Sequence, residues 1–178
     1  MDLRKHLLDR NLKWNWDGIA TYCVKNPSAI QQIVDYCQDE EVHVQQNAGA
    51  VLGKLIDHDK ELLDAYATQI VSLIEKDVHD AVKRAVMRIY QWAEISEEIE
   101  GELFEFVINA LKSQEAAIAI KAFGMTVARR ICEKYPELAA ELIPYLEVII
   151  EERPSSGMVN RAEKELKNLH KISNRSHL

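Results

Sequence analysis

Between residues 59 and 75 the apolar side chains Leu62, Leu63, Tyr66, Ile70, Leu73 and Ile74 recur mostly three and four positions apart. Ala81, Ala85, Ile89 and Trp92 continue the same spacing in the next segment. One apolar stripe per segment, with charged residues opposite, marks an amphipathic helix that packs by one face. On this pattern Trp92 belongs to the core. Extended along the chain, with Pro, Asp and Asn as punctuation, the pattern predicts helices over residues 3–13 and 17–25. Four helix pairs then follow: 28–38 with 42–56, 59–75 with 78–93, 96–112 with 115–135, and 136–151 with 155–172. The connections are only a few residues long, so consecutive helices are expected to be antiparallel neighbours.

The second helices repeat. VQQNAGAVLGKL at 44–55 returns as AVKRAVMRIYQW at 81–92, with Ala48 answered by Ala85, 37 residues later. The pattern returns more loosely at Lys121-Ala122, a further 37 residues on, and at Arg161-Ala162, 40 beyond that. A fixed period near 37 in a helical chain signals stacked helix pairs. The small residues Ala48, Gly49, Ala85, Ala122 and Gly124 would let helix axes approach closely. Ala48, Ala85 and Ala122 are therefore expected to lie buried at helix contacts.

In these copies an aliphatic residue, a polar or basic residue, Ala and then a Leu-type residue four further on form a motif. It reads Val44, Asn47-Ala48, Leu52; then Ala81, Arg84-Ala85, Ile89; then Met158, Arg161-Ala162, Leu166. The third copy departs, with Thr126 at the aliphatic position. The motif resembles the second helix of the HEAT-repeat family, over about residues 27–172. The resemblance implies an all-α fold: a right-handed α–α superhelix of about four HEAT-like helix pairs plus an N-terminal helical cap. The expected organisation is a single solenoid domain over 1–178, with cap helices in 1–26, repeats in 27–172 and a polar tail at 173–178. Repeats of this kind serve as scaffolds and adaptors and occasionally as enzymes, so the fold alone implies a binding or scaffold role.

Composition narrows the setting. Hydrophobic content of 47% with 29% charged residues is ordinary for a soluble globular chain. No apolar run approaches the roughly 20 residues that a membrane span needs. The N-terminus has neither a long apolar core nor a small-residue cleavage site, which speaks against a signal peptide. The cysteines Cys23, Cys37 and Cys132 are odd in number and fit no metal or redox spacing. A reducing, cytoplasmic location is expected.

The net charge of −7 speaks against a general nucleic-acid binder. The charge is unevenly distributed, however. The second helices of the pairs are net basic and the first helices net acidic. In a solenoid the two layers form opposite surfaces, so Arg84, Arg88, Lys121, Arg129 and Arg161 are candidates for a basic concave face that meets an acidic protein partner. The same arginines have a structural reading, as internal partners of the plentiful carboxylates such as Glu98, Glu100, Glu102 and Glu105.

Catalytic signals are sparse. Pro154-Ser155-Ser156-Gly157-Met158-Val159-Asn160-Arg161 resembles part of the GSSxMPxKxNP loop of the fumarase and adenylosuccinate lyase superfamily, through Ser155, Ser156 and Met158. Pro154 replaces its Gly, Val159 its Pro, Arg161 its Lys, and Glu163-Lys164 its Asn-Pro. That resemblance implies a serine base for β-elimination. The structural reading makes Ser155 or Ser156 a cap on the last helix. A HEAT-like DNA-alkylpurine glycosylase would be the nucleic-acid alternative, with Trp92 and Glu94 beside the lesion. The six histidines form no HxxxH or HExxH pair, and His43, His58 and His79 fall near helix junctions, where capping is expected. Trp14 and Trp16 read as a cover for the open end of the helical stack. No cofactor, metal or catalytic residue is expected, and the chain reads as a non-catalytic interaction module.

Overall fold

A computed structural model of the protein describes residues 1–9 and 16–175. Every regular element among the described residues is helical, as the apolar spacing requires. The chain divides into two compact units, Met1–Ile99 and Glu100–Leu178.

The first unit contains α1 (Leu3–Leu8), α2 (Trp16–Lys25), α3 (Ser28–Tyr36), α4 (Val42–Leu55), α5 (Ala67–Ser72) and α6 (Asp80–Tyr90). Residues 10–13, the end of the expected first helix, lie outside the described residues, as does Trp14. Helix α4 carries a single charge, Lys54, and is apolar or small around most of its circumference. Such a helix belongs inside, and α4 packs against α1, α2, α3 and α6. Val44, Ala48, Val51, Leu52 and Leu55 are all buried.

Backbone proximity sets the contact between α4 and α6. A Cβ on Gly49 would lie 2.9 Å from the Val82 nitrogen and 3.0 Å from the Ala81 carbonyl carbon and oxygen. One turn on, a Cβ on Gly53 would meet the Ala85 Cβ at 3.4 Å. Two small residues four apart on each helix thus let the axes nest. Ala48 and Ala85 are buried, as expected.

The expected helix over 59–75 is broken. A 3₁₀ stretch at Glu61–Tyr66 leads into α5, and a second 3₁₀ turn, Leu73–Glu75, ends it. The backbone interruption is at Tyr66, with φ −112° and ψ 6°. Its hydroxyl donates to the Pro27 carbonyl at 3.2 Å, and the Tyr90 hydroxyl donates to the Ala67 carbonyl at the same distance. The apolar stripe survives because spacings of three suit a 3₁₀ turn as well as an α-helix.

Trp92 is not in the core: it is 61% exposed. Helix α6 stops at Tyr90, so Trp92 sits in the following turn and leaves the stripe that the spacing assigned to it. His79 caps α6, its Nδ1 accepting from the Ala81 N–H at 3.1 Å.

The second unit is built from α7 (Glu97–Lys112), α8 (Ile118–Lys134), α9 (Ala139–Glu152) and α10 (Ser156–Arg175). Helix α10 packs on both α8 and α9. The α8 helix starts three residues later than expected because the Ser113 hydroxyl holds the Glu115 and Ala116 N–H groups in a turn. Ala122 is half-buried, where full burial was expected. Gly124 makes the close approach expected of it, since a Cβ there would lie 3.0 Å from the Val107 side chain. Helix α9 tolerates Pro144 inside it. The hydrogen bond that Pro144 cannot donate would have gone to Ala140, an exposed residue whose carbonyl can turn to water. Arg153 ends α9 in the left-handed region, at φ 52°. Helix α10 continues through residues 173–175, where a frayed tail was expected.

The α4–α6 contact yields a prediction. Gly49→Ala and Ala85→Leu should each destabilise the protein by about 1–3 kcal/mol, because backbone atoms cannot step aside as a flexible side chain would. Urea unfolding checks this, and an unchanged midpoint for both variants would contradict the close approach.

Candidate interaction surfaces

The polar position that precedes the motif Ala is answered differently in each copy. In α4 it is Asn47, a buried residue. Its Nδ2 donates to the Leu7 carbonyl at 2.7 Å, and its Oδ1 accepts from the Trp16 indole N–H at 3.1 Å. One amide therefore ties α1 and α2 to α4, through a carbonyl in the last turn of α1. Trp16 is half-buried there. In α6 the position is Arg84, which is exposed. In α8 it is Lys121, whose Nζ donates to the Ser113 carbonyl at 2.6 Å and closes the turn before its own helix. In α10 it is Arg161, which turns to Thr126.

That last contact belongs to a network between α8 and α10. The buried stripe of α10 runs Met158, Val159, Ala162, Glu165 and Leu169, so a carboxylate occupies an apolar position. Glu165 is 1% exposed. Its Oε1 accepts from the Thr126 hydroxyl at 2.7 Å, and its Oε2 from Arg129 Nε at 3.0 Å. Arg161 Nη1 donates to the Thr126 hydroxyl at 2.6 Å and lies 3.9 Å from Glu165 Oε1. Arg129 also bonds Glu133 one turn along α8. Thr126, the departure from the motif, is the hydroxyl that links the acid to the second arginine. The irregularity was visible in the sequence; its buried partner was not.

In the first unit the charges pair nearer the surface. Arg88 Nη2 lies 2.6 Å from Asp57 Oδ1 and 2.7 Å from Oδ2, with both side chains substantially exposed. Arg4 grips Asp39 with Nε and Nη2, each at 2.8 Å. Asp39 Oδ1 also accepts the Glu41 N–H at 2.9 Å. The Arg4 hydrogen bonds, aided by that N–H, outweigh burial and hold the Asp39 carboxyl below its ordinary range.

A groove of about 520 Å³ lies within the second unit, between α7 and the segment from Tyr135 to Glu141. Phe104, Ile108, Ile131 and Leu138 supply its apolar wall. Glu105, Glu137 and Glu141 line it as exposed carboxylates. Glu100 lines it too but is buried and engaged, accepting from Lys134 Nζ at 3.1 Å and from the Tyr135 hydroxyl. Burial pushes the Glu100 carboxyl up, and the Tyr135 and Lys134 hydrogen bonds outweigh it, leaving the group below its ordinary value. The one lysine in the lining, Lys112, has its Nζ 5.7 Å from the centre of the Tyr145 ring. The acidic spacing on α7 is legible in the sequence. The partner segment 30 residues away, which turns it into a groove, is not.

Among the candidate catalytic side chains, Ser155 makes a structural contact. The Ser155 hydroxyl accepts the Met158 N–H at 3.2 Å, the capping contact expected of it, and Ser156 is exposed. Lys60 places its Nζ 5.5 Å from the centre of the largely exposed Trp92 ring, and Glu94 is exposed nearby in sequence. Among the described residues no three His, Cys, Asp or Glu side chains are grouped to hold a metal ion. No described helix is long and apolar enough to cross a membrane.

Two predictions follow from the pairings. Removing Arg129 leaves the Glu165 charge buried with one partner fewer, so Arg129→Met should cost about 3 kcal/mol. Glu165→Leu should cost less, because Arg129 keeps Glu133 and Thr126 keeps Arg161. Chemical denaturation of the two variants checks the order, and the reverse order would contradict a network centred on the acid.

The second concerns pH. A carboxyl held below its unfolded-state value adds stability above that value, near pH 4, and loses it as pH falls through the folded value. Asp39→Asn should therefore flatten the fall in thermal midpoint between about pH 5 and pH 2. An unchanged slope would remove Asp39 from the acid response.

With this geometry described, comparison with known proteins adds one match. A family model described as a HEAT repeat domain matches residues 3–169. No curated protein and no solved structure matches the chain significantly.

Proposed function

The chain belongs to the HEAT-repeat family, and on that premise we propose that it works as a non-catalytic protein-interaction or scaffold module that meets an acidic partner through basic side chains. The observation that carries the non-catalytic part is Ser155. Its hydroxyl is engaged as a helix cap by the Met158 N–H. A capping serine that accepts a backbone hydrogen bond is doing structural service.

The five basic candidates are not equally available to a partner. The Arg88–Asp57 pair is exposed, and such a pair contributes about 0–1 kcal/mol. A partner carboxylate can replace Asp57 at little cost. Arg129 and Arg161 are different, because withdrawing them strands the buried Glu165. Lys121 is held by the Ser113 carbonyl. Arg84 and Arg88, both in the first unit and four apart on α6, are the residues we assign to the acidic partner.

The reading includes a reducing, cytoplasmic setting, supported by three cysteines that are free and buried. Burial pushes the Cys23 thiol up to about 11 and those of Cys37 and Cys132 up to about 12, which keeps them protonated and unreactive.

The test is a labelled glutamate-rich peptide measured by fluorescence anisotropy against the full chain. Arg84→Glu with Arg88→Glu should abolish its binding and leave the helical circular dichroism intact. Binding that persists in the double variant would contradict the assignment, as would tighter binding of duplex DNA than of the peptide. Elimination of fumarate from adenylosuccinate or argininosuccinate, lost in Ser155→Ala, would overturn the non-catalytic reading.

A further inference from the structure

We propose that the groove of the second unit is a docking site for a basic, amphipathic segment of a partner protein. An apolar side chain of that segment seats on Phe104, Ile108 and Leu138, and flanking Lys or Arg side chains reach Glu105, Glu137 and Glu141. This site is separate from Arg84 and Arg88, so it stands or falls apart from the acidic-partner reading.

Shape is the first argument. A volume of about 520 Å³ is room for a large apolar side chain, being within the range of about 300–1,000 Å³ of pockets that hold whole small molecules. Its wall combines buried apolar side chains with a polar edge, which is the anatomy of a recognition groove. An apolar anchor removed from water there gains in proportion to the area it covers.

Charge selects the occupant. Glu105 projects from α7, Glu137 from the 3₁₀ turn Pro136–Leu138 and Glu141 from the first turn of α9. All three are exposed residues, so their carboxylates are available to solvent. Glu100 is already neutralised by Lys134 and tied to Tyr135, so it braces the wall and leaves partner recognition to the other three. Lys112, at the C-terminal end of α7, also lines the groove with its Nζ 5.7 Å from the centre of the Tyr145 ring, and one cation leaves a lining with three exposed carboxylates net acidic. An acidic or purely apolar segment would leave three carboxylates facing it uncompensated; a basic one pairs them.

Gly101 is the third observation. It lies in α7, where glycine costs about 1 kcal/mol relative to alanine. A Cβ added there would meet nothing within 4 Å, so close packing within the protein does not require the glycine. It lines the groove one turn before Glu105. A larger side chain at this position would add bulk to the groove's lining.

The test uses three labelled peptides with the full chain at about physiological salt, where long-range attraction is screened beyond roughly 8 Å. The first alternates Lys with Leu and Phe; the second replaces every Lys by Glu; the third keeps the Lys and replaces the apolar residues by Ser. Saturable binding of the first alone is expected. Glu105→Gln with Glu141→Gln should weaken it about fivefold, the effect of two exposed charge pairs. Gly101→Arg should weaken it as well, by placing a cation of the chain's own beside Glu105. Glu151→Gln with Glu152→Gln removes the same charge outside the groove and should leave binding unchanged. No saturable binding, equal loss from both glutamate pairs, or equal binding of the Ser-containing peptide would overturn the proposal. The last result would indicate a site for simple polycations.

Discussion

Burying the Glu165 carboxylate among apolar neighbours costs several kcal/mol unless its oxygens are paired, and that requirement organises the second unit. Each partner it recruits is thereby committed. Thr126 cannot be an aliphatic residue, Arg129 cannot turn outward, and Arg161 must reach back towards α8. Where a leucine would have allowed the helices to slide by a turn, directional bonds set one register. The first unit meets the same demand with a neutral group: Asn47, buried beside Ala48, satisfies itself on Leu7 and Trp16 and so sets where α1 and α2 sit on α4.

This demand explains why the basic charge pattern overstates what is free to bind. A sequence count treats every arginine as equal, yet the free energy needed to release one depends on what it leaves behind. Asp57 left by Arg88 returns to water; Glu165 left by Arg129 does not. The basic second helices therefore contain two kinds of cation, structural and exchangeable, and only burial of the partner carboxylate distinguishes them. Formal charge along the helix cannot.

The helical layout was legible because its signals are local. Apolar spacing and the Ser155 cap each rest on residues within a turn or two of one another, and the Ala48–Ala85 repeat is the same local pattern read twice, 37 residues apart. Readings failed where a helix changed character without changing its stripe. Trp92 keeps the spacing of α6 but lies past the end of that helix. Residues 59–75 keep their spacing through two 3₁₀ turns. In α8 the expected close approach holds at Gly124, while Ala122, expected buried, is half-buried. Of the site residues, Arg84 and Arg88 were legible by type, and their differing availability was not. The groove was invisible, since Glu137 and Glu141 look like ordinary solvated carboxylates until α7 is set beside them.

The two surfaces then differ in how they would discriminate. Arg84 is exposed and Arg88 partly so, four apart on α6, so recognition resting on these two charges would fade with salt. The groove adds an apolar wall to its charges, and an apolar contact persists at salt concentrations that screen the carboxylates. A partner segment carrying both features would be held at the groove by terms that fail under different conditions. On the proposal of a basic, amphipathic partner, specificity would come from both features: the carboxylates would reject acidic segments, and the Phe104–Ile108 wall would reject chains that are merely basic.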